Sequence, residues 1–322
     1  MSGPAGGLGA SLRRAGRALS RALVEPPLPL VAVEVRPRAV GAVRLAREGG
    51  RLALGAAASV DLPDGVLALS LTKPNILSPE GFAAALRSVL ERVGALSGGP
   101  VSLVLPDPAV RVTLVPSAGL RGRRAEVDDT VRFRLHKTLP SDFDVKTARV
   151  AWQAAGGDQL LVAAAAEDVV RGYEDALSGL GFQAGLVEAA GLALASLEGA
   201  GARSGDRLLV NWDDGYVSFL LSRGSHLALL RTLPREDSRE AVARQATQTL
   251  RYHRDQLGGG ALTDLALRSA AFPPAEAAAV LESALGMAPR LLQPWAALGV
   301  SEDGPAAQAV AGAAACVLRR AA

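Results

Sequence analysis

The chain of 322 residues contains few cysteine, histidine or aromatic side chains. Its single cysteine, Cys316, excludes a disulfide framework and any metal site built from several cysteines, and it fits a reducing compartment. The three histidines, His136, His226 and His253, share no ligand spacing and indicate no metal site. Aromatic residues make up 4% of the chain. The tryptophans are not interleaved with basic clusters, so we expect no nucleic acid partner that stacks on them.

Long apolar runs and a strong net charge are also missing. No stretch reaches the roughly 20 apolar residues that a membrane-spanning helix requires. The formal net charge of +3 is small for this length, so nucleic-acid binding does not follow from it. Hydrophobic residues make up 49% of the sequence, which allows a sizeable core and favours two domains. We expect a cytoplasmic protein, because the N-terminal arginines lie within the moderately apolar part of that segment, unlike those of a signal peptide.

The N-terminal segment, residues 1–27, has the pattern of a basic amphipathic helix. Leucines fall on one helical stripe, and four arginines recur at helical spacing, namely Arg13, Arg14, Arg17 and Arg21. Such a helix can rest on an anionic membrane surface, where each arginine contributes about 1 kcal/mol. We expect membrane or partner contact through these arginines, with a docked helix or a flexible tail as the alternative.

A pattern of three strands followed by a helix occurs twice in the chain. The first copy has strands within residues 30–60 and a helix over 81–93. The second has strands within 207–232 and a helix that begins after Asp237 and Ser238. Two copies of one unit predict an internally duplicated α/β protein, whose natural binding site is the cleft between the halves.

Further strands and helices lie between the two copies. We assign residues 28–200 to a first lobe that carries an inserted α/β subdomain at about 108–155, and residues 201–322 to a second lobe. The joint between them is the glycine-containing stretch 199–205. The alanine-rich residues 304–320 predict one final helix of the second lobe.

This plan is that of the duplicated actin-like (ribonuclease H-like) fold, and the sequence resembles the PilM-type proteins of type IV pilus assembly within that fold. The resemblance covers roughly residues 29–318 and depends on the order and spacing of its parts rather than on one motif. The parts that carry it are 31–35 with 40–43, 131–140, 160–165 with Tyr173 and Leu177, and 247–252.

The resemblance directs attention to three loops that hold ATP in actin-like proteins. Two glycine-containing hairpin turns approach the phosphates, because a Cβ atom would occupy the space of a phosphate. The first has the pattern Asp-x-Gly-Thr-Ser-Ser-x-Lys in the family. Here Glu34 keeps a carboxylate, whereas Arg36 and Arg38 stand where the glycine and a hydroxyl are expected.

The other two loops depart from the pattern as well. In the second phosphate loop, Asn211 replaces a carboxylate, Asp213 replaces the glycine and Asp214 follows, so that carboxylates would face phosphate oxygens. In the adenosine turn, Arg268, Ser269 and Ala270 include no glycine.

The same positions also have a plain structural interpretation. Residues 36–38 are typical of an exposed turn, and Asp214 with the following glycine is typical of a tight hairpin. A third interpretation has Arg36 and Arg38 holding an anion.

The resemblance implies a scaffold of the inner-membrane platform that assembles type IV pili. The implied partner is a PilN-like bitopic inner-membrane protein, whose cytoplasmic tail would bind in a groove built by the insertion and the first three strands. Pilus motor components are further implied partners, and the implied location is cytoplasmic and peripheral to the inner membrane. Since the loops are degenerate, we expect no bound ATP or Mg²⁺, no metal and no enzymatic activity. The alternative is an active actin-like ATP-binding protein of a pilus or type II secretion platform.

Overall fold

The computed structural model describes residues 29–120, 123–198, 205–234, 238–270, 272–301 and 304–319. The basic N-terminal segment with its four arginines, Arg13, Arg14, Arg17 and Arg21, lies outside the described residues. Its contact with a membrane or a partner therefore stays a prediction. Within the described residues, no helix is both long and apolar enough to span a membrane.

The described chain alternates strands and helices throughout. The strands are β1 (Val31–Arg36), β2 (Ala39–Glu48), β3 (Arg51–Asp61), β4 (Gly99–Leu105), β5 (Arg111–Pro116), β6 (Arg149–Gly156), β7 (Gln159–Ala165), β8 (Phe182–Ala189), β9 (Asp206–Trp212), β10 (Tyr216–Arg223), β11 (His226–Pro234), β12 (Leu262–Ser269) and β13 (Arg290–Leu291). The helices are α1 (Pro79–Arg92), α2 (Arg124–His136), α3 (Glu167–Ser178), α4 (Ala190–Ser196), α5 (Arg239–Leu257), α6 (Pro274–Leu285), α7 (Pro305–Ala309) and α8 (Ala311–Leu318).

Two five-stranded sheets have the same topology and confirm the predicted duplication. The first has the order β3-β2-β1-β4-β8 and the second the order β11-β10-β9-β12-β13. In each, an antiparallel meander is extended by parallel strands on the side of its first strand. The central strands read as nearly continuous apolar runs because helices or the other lobe cover both of their faces.

Helix α1, which covers one face of the first sheet, begins at a serine cap. Ser78 accepts a hydrogen bond from the Gly81 N–H, and Pro79 occupies the first turn, where its missing N–H is harmless. Helices α1 and α3 bury one face of the sheet, and Phe82 meets Tyr173 edge to face at 5.7 Å. In the second lobe, Ser238 caps α5 in the same way, and Gly258 ends it in the left-handed conformation.

The insertion forms a small sheet with the order β5-β7-β6 that packs against α2. Its core contains Val131, Leu135, Phe143 and Val162. The predicted end at about residue 155 is too early, because the central strand of this sheet, β7, comes after it. A strand between two others cannot be separated from them.

The end of the described chain differs most from the sequence prediction. In place of one helix over 304–320, a break at Val310 (φ −124°, ψ 15°) separates α7 from α8. Helix α8 then leaves the second lobe and packs against β1, β2 and β4 of the first sheet. Its alanine and glycine residues are small enough for this close approach. The assignment of all of 201–322 to the second lobe is therefore wrong for this helix.

Candidate functional site

The first lobe presents two charged residues to the cleft between the lobes. Strand β1 alternates, so that Val33 and Val35 enter the core under α1, whereas Glu34 and Arg36 point to the opposite face. Both charged side chains are buried, Glu34 completely and Arg36 to about 5% residual exposure. The exposed-turn interpretation is therefore wrong for Arg36.

The second lobe contributes polar residues to the cleft from two neighbouring parallel strands. On β9, Leu208 and Val210 face the second-lobe core, whereas Leu209 and Asn211 face the cleft. Asp213 directly follows this strand, and Arg268 lies near the end of β12. The two strands bring Arg268 opposite Asn211 in the ladder. All three polar side chains are fully buried.

Arg268 is the centre of a buried network that joins the lobes. Its Nη1 donates to Asn211 Oδ1 at 3.0 Å and to Asp213 Oδ2, and its Nη2 donates to Glu34 Oε1 at 2.8 Å. Its Nε donates to the backbone carbonyl of Gln308 at 2.9 Å, just before α8. One guanidinium therefore connects four separate parts of the chain.

Arg36 makes a second bridge across the cleft. Its Nε lies 3.1 and 3.2 Å from the two oxygens of Asp213, and its Nη2 donates to Asp213 Oδ1 and to the Ala270 carbonyl, both at 3.0 Å. Two guanidiniums and two carboxylates thus meet in one buried cluster, which we call the interlobe network: Glu34, Arg36, Asp213 and Arg268. Its formal charges balance.

The other oxygen of Glu34 is held by the start of α8. Glu34 Oε2 accepts hydrogen bonds from the N–H groups of Gly312 at 2.8 Å and Ala313 at 3.1 Å. The first N–H groups of a helix have no partner within the helix and favour an anion. A Cβ atom at position 312 would lie 2.8 Å from Glu34 Cδ, so only glycine lets the carboxylate come this close.

Asp107 organises a second buried cluster next to the network, and the sequence analysis missed it. Its carboxylate accepts from the Gly191 N–H at 2.6 Å, Ser218 Oγ at 2.6 Å and Asn211 Nδ2 at 3.2 Å. Asn211 belongs to both clusters, since its Oδ1 accepts from Arg268. The available signal was an acidic residue between two prolines at the end of a buried strand.

Burial and charge move the pKa values of these groups in opposite directions. Burial raises the pKa of Glu34, and Arg268 and Arg36 offset part of this rise. Burial also raises the pKa of Asp107, against the hydrogen bonds from Ser218 and Gly191. For Asp213, burial is opposed more strongly by Arg36 and Arg268, and its pKa lies far below the ordinary value. Asp213 is thus the firmly ionised member of the interlobe network.

The remaining predicted positions lie at the edge of this cluster. Arg38 points away and pairs with Asp64 at 2.8 Å, where both side chains are exposed. Asp214 is partly exposed at 3.8 Å from Arg36. Ser269 Oγ donates to the Phe272 carbonyl. Arg36 does hold an anion, as one interpretation proposed, but the anion is Asp213 of the same chain.

A large groove lies beside the interlobe network, between the inserted sheet and both lobes. Its volume is about 1120 Å³. Strand β6 forms one wall and is an edge strand of the inserted sheet. Apolar side chains make much of its surface, including Leu105, Ala151, Ala163, Leu209, Leu220 and Leu227. We call this the β6 groove. Within the described residues, no group of three or more acidic, histidine or cysteine side chains could hold a metal ion.

Two sheets of identical topology, joined across a cleft, define a two-lobed actin-like protein with a subdomain inserted in the first lobe. No protein-family model and no curated protein sequence matches the chain. A chain of the solved PilM–PilN type IV pilus biogenesis complex has the same fold, with a TM-score of 0.71 and 19% identity over 90% of this chain and 98% of that chain.

Two further solved structures extend the comparison. A Bacteroides thetaiotaomicron protein with an actin-like ATPase fold and unknown function has a TM-score of 0.53 and 8% identity, over 87% of this chain and 94% of that chain. The cytoplasmic domain of EpsL, from the type II secretion system of Vibrio cholerae, has a TM-score of 0.47 and 12% identity, over 74% of this chain and 81% of that chain. This TM-score is too low to support a conclusion. The predicted actin-like fold is confirmed, and the resemblance to PilM-type proteins is confirmed at the level of the fold.

Proposed function

We propose that this chain is a scaffold of a type IV pilus assembly platform, which binds the cytoplasmic tail of a PilN-like bitopic membrane protein and has lost nucleotide binding. The likeness to a chain of the PilM–PilN complex over nearly all of that chain supports the choice of machine. The observation that carries the scaffold role is the interlobe network, because it fills the cleft where an actin-like protein would hold ATP.

A nucleotide would have to displace strong internal interactions to enter this cleft. The glycine of the first phosphate loop is replaced by Arg36, whose guanidinium already holds Asp213. The start of α8 already binds the carboxylate of Glu34. Phosphates that took these partners within a closed cleft would leave the buried Asp213 carboxylate uncompensated, which costs several kcal/mol. The cations and the anion site that phosphates need are therefore satisfied within the chain.

The β6 groove is the place where an extended tail fits best. Strand β6 makes no ladder on its outer edge within the described residues. An added strand would satisfy the outer N–H and C=O groups of β6, while its side chains contact the apolar walls. This is the mode of binding that a short segment of a membrane protein can use without a folded domain.

Affinity capture with cross-linking tests the scaffold role. The full chain, with a photo-crosslinking residue in place of Ala154 on the groove wall, is incubated with detergent-solubilised membranes of the source organism. The matched control carries the same residue in place of Ala125, exposed on α2 and outside the groove lining. We expect a small bitopic protein, cross-linked through its cytoplasmic tail, from position 154 only. Cross-links to no membrane protein would contradict the proposal.

Nucleotide binding is tested separately by thermal unfolding with Mg-ATP. A nucleotide present at one hundred times its Kd would stabilise the fold by about 2.7 kcal/mol. We expect no change in the unfolding midpoint, and capture of the membrane partner that does not depend on Mg-ATP. A rise in the midpoint, or capture that requires Mg-ATP, would favour the active ATP-binding alternative.

A further inference from the structure

Arg207 is a buried charge at the base of the β6 groove. Its side chain lies on the cleft face of β9, two residues before Leu209, and opposite Ser222 on β10. It retains only 9% of its exposure. Its Nη2 donates to the Gly224 carbonyl at 2.7 Å, in the turn between β10 and β11. Its Nε and Nη1 have no hydrogen-bond partner among the described residues.

This arrangement is unusual for an arginine with a purely structural role. A guanidinium has five N–H donors, stays charged at all ordinary pH values, and is costly to bury without an anion. Asp264, which pairs with Arg207 across the β9–β12 ladder, directs its carboxylate to Arg290 instead, and so does Glu198. Nε and Nη1 are shielded from solvent in this structure, so an anion in the groove would supply the missing partner once the side chain turns towards the groove that it lines.

The other charged arginine and glutamate side chains of the groove are already paired. Arg149 bonds to Glu167 and Glu174 outside the groove, and Glu188 bonds to Arg319. Arg207 is left as the positive site among the described groove residues. Ser222, Ser225 and His226 lie beside it in the lining and provide polar atoms around the same position.

We propose that Arg207 anchors the carboxylate of an aspartate or glutamate side chain on the segment that binds in the β6 groove. A guanidinium binds a carboxylate through strong, charge-assisted hydrogen bonds, and the Nη1 atom of Arg207 has no other partner. The apolar walls then take the side chains that flank the acidic residue. The proposal deepens the proposed function and rests on it, because it specifies the chemistry of the tail that the scaffold accepts.

A peptide-display selection with random sequences tests this anchor. Random twelve-residue peptides (about 40 Å when extended) are selected on the full chain. Selected peptides are retained if Ala154→Arg, which blocks the groove wall, abolishes their binding. We expect the retained peptides to share an acidic residue at a fixed distance from apolar ones. Replacing it with its amide should weaken binding about tenfold, or about 1.4 kcal/mol.

The matching change in the protein is Arg207→Leu. It should weaken the acidic peptide by about the same tenfold factor, and the amide peptide should then lose nothing further, since both changes remove one contact. Arg149→Leu is the control, because its guanidinium belongs to pairs outside the groove. Two results would overturn the anchor and leave tail binding intact. Either the groove-binding peptides show no preference for an acidic residue, or that preference survives Arg207→Leu. Peptides insensitive to Ala154→Arg would overturn the groove itself, and the anchor with it.

Thermal unfolding distinguishes a ligand-binding role of Arg207 from a structural one. If Arg207 awaits a ligand, Arg207→Leu removes an unpaired buried charge, and its midpoint should equal or exceed that of the wild type. Arg207→Gln, which keeps one donor for the Gly224 carbonyl, is the second variant. A clear fall in the midpoint of both variants would assign Arg207 to the folded structure and overturn the anchor.

Discussion

Arg268 shows how one side chain can pair several buried polar groups at once. Its guanidinium lies in the cleft between the lobes and donates hydrogen bonds to Glu34, Asn211 and Asp213. Its charge compensates two carboxylates that would otherwise be buried without partners. The stability of the cleft therefore depends on this guanidinium more than on any one apolar contact near it.

Replacing Arg268 with methionine should destabilise the protein by about 3–5 kcal/mol, because it leaves buried carboxylates uncompensated. Urea unfolding measures the loss. Arg38→Met is the control, since Arg38 is 61% exposed and pairs with an exposed Asp64, and we expect it to change stability by about 1 kcal/mol or less.

Adding Glu34→Gln to Arg268→Met should restore part of the lost stability, because it removes one of the uncompensated charges. If the two losses simply add, the two side chains do not act as one network, and the interpretation of the cleft as an internal ion cluster is wrong.

Glu167 makes a pH-dependent contribution outside the cleft. Its hydrogen bond with Arg149 is the largest of the effects that lower its pKa from 4.5 to about 2. The ionised form is thus favoured in the folded state, so this contribution is complete above the ordinary pKa and is lost as the pH falls towards 2. Arg149 is 41% exposed, which limits the effect at neutral pH to about 1 kcal/mol.

The measurement compares the urea midpoints of the wild type and Glu167→Gln across this pH range. The variant should be the less stable protein at pH 7, and the two midpoints should converge as the medium is acidified through 4.5 and below. A difference that stays constant, or grows on acidification, would refute the ionic origin of the contribution.

At the scale of elements, local signals predicted more than long-range ones. The two meanders and the helix start at Ser238 depend on neighbours in the sequence, and the structure confirms them. The break at Val310 and the return of α8 to the first lobe depend on the fit of small side chains against a distant sheet. Helical periodicity contains no information about that fit.

The candidate site shows the same division. The sequence identified Glu34, Arg36, Asp213 and Arg268 by the loops that contain them, but it left Arg36 open between an exposed turn and an anion-holding residue. The partners in the network are separated by 177 residues for Arg36 with Asp213 and by 234 for Glu34 with Arg268. Such pairings follow from topology alone, and Arg207 had no local signal at all.

Gly312 is the element-scale test of the contact between α8 and β1. Gly312→Ala places a methyl group 2.8 Å from the Glu34 carboxylate and should force the two elements apart, at a cost of about 1–3 kcal/mol. Gly304→Ala, at the start of α7, is the control, because nothing lies within 4 Å of its added Cβ. Urea unfolding of both variants measures the loss of stability. Equal losses for the two variants would contradict the close fit of α8 against β1.

At the scale of the whole molecule, the interlobe network and α8 connect the lobes at the same place. Actin-like proteins that bind nucleotide need a cleft that exchanges ligand with solvent. Here the side chains that line the cleft are buried by one another. In the proposed scaffold role, the closed arrangement is the working state and the β6 groove is the accessible surface.

Hydrogen exchange should show the same protection with and without Mg-ATP across β1, β2 and the turn that contains Asp213. Arg36→Gln should increase exchange at both places, because the side chain bridges them. Protection induced by Mg-ATP in the unmodified chain would contradict a permanently closed cleft.

The return of α8 to the first lobe has a mechanical consequence. Strand β1 and helix α8, near the two ends of the described chain, lie against each other. Tension applied between residues 31 and 318 would therefore pass through the first lobe alone. The second lobe, which lies between these residues in the sequence, would not bear the force. A protein tethered between a membrane and a motor could carry load in this way without distorting the surfaces of its second lobe.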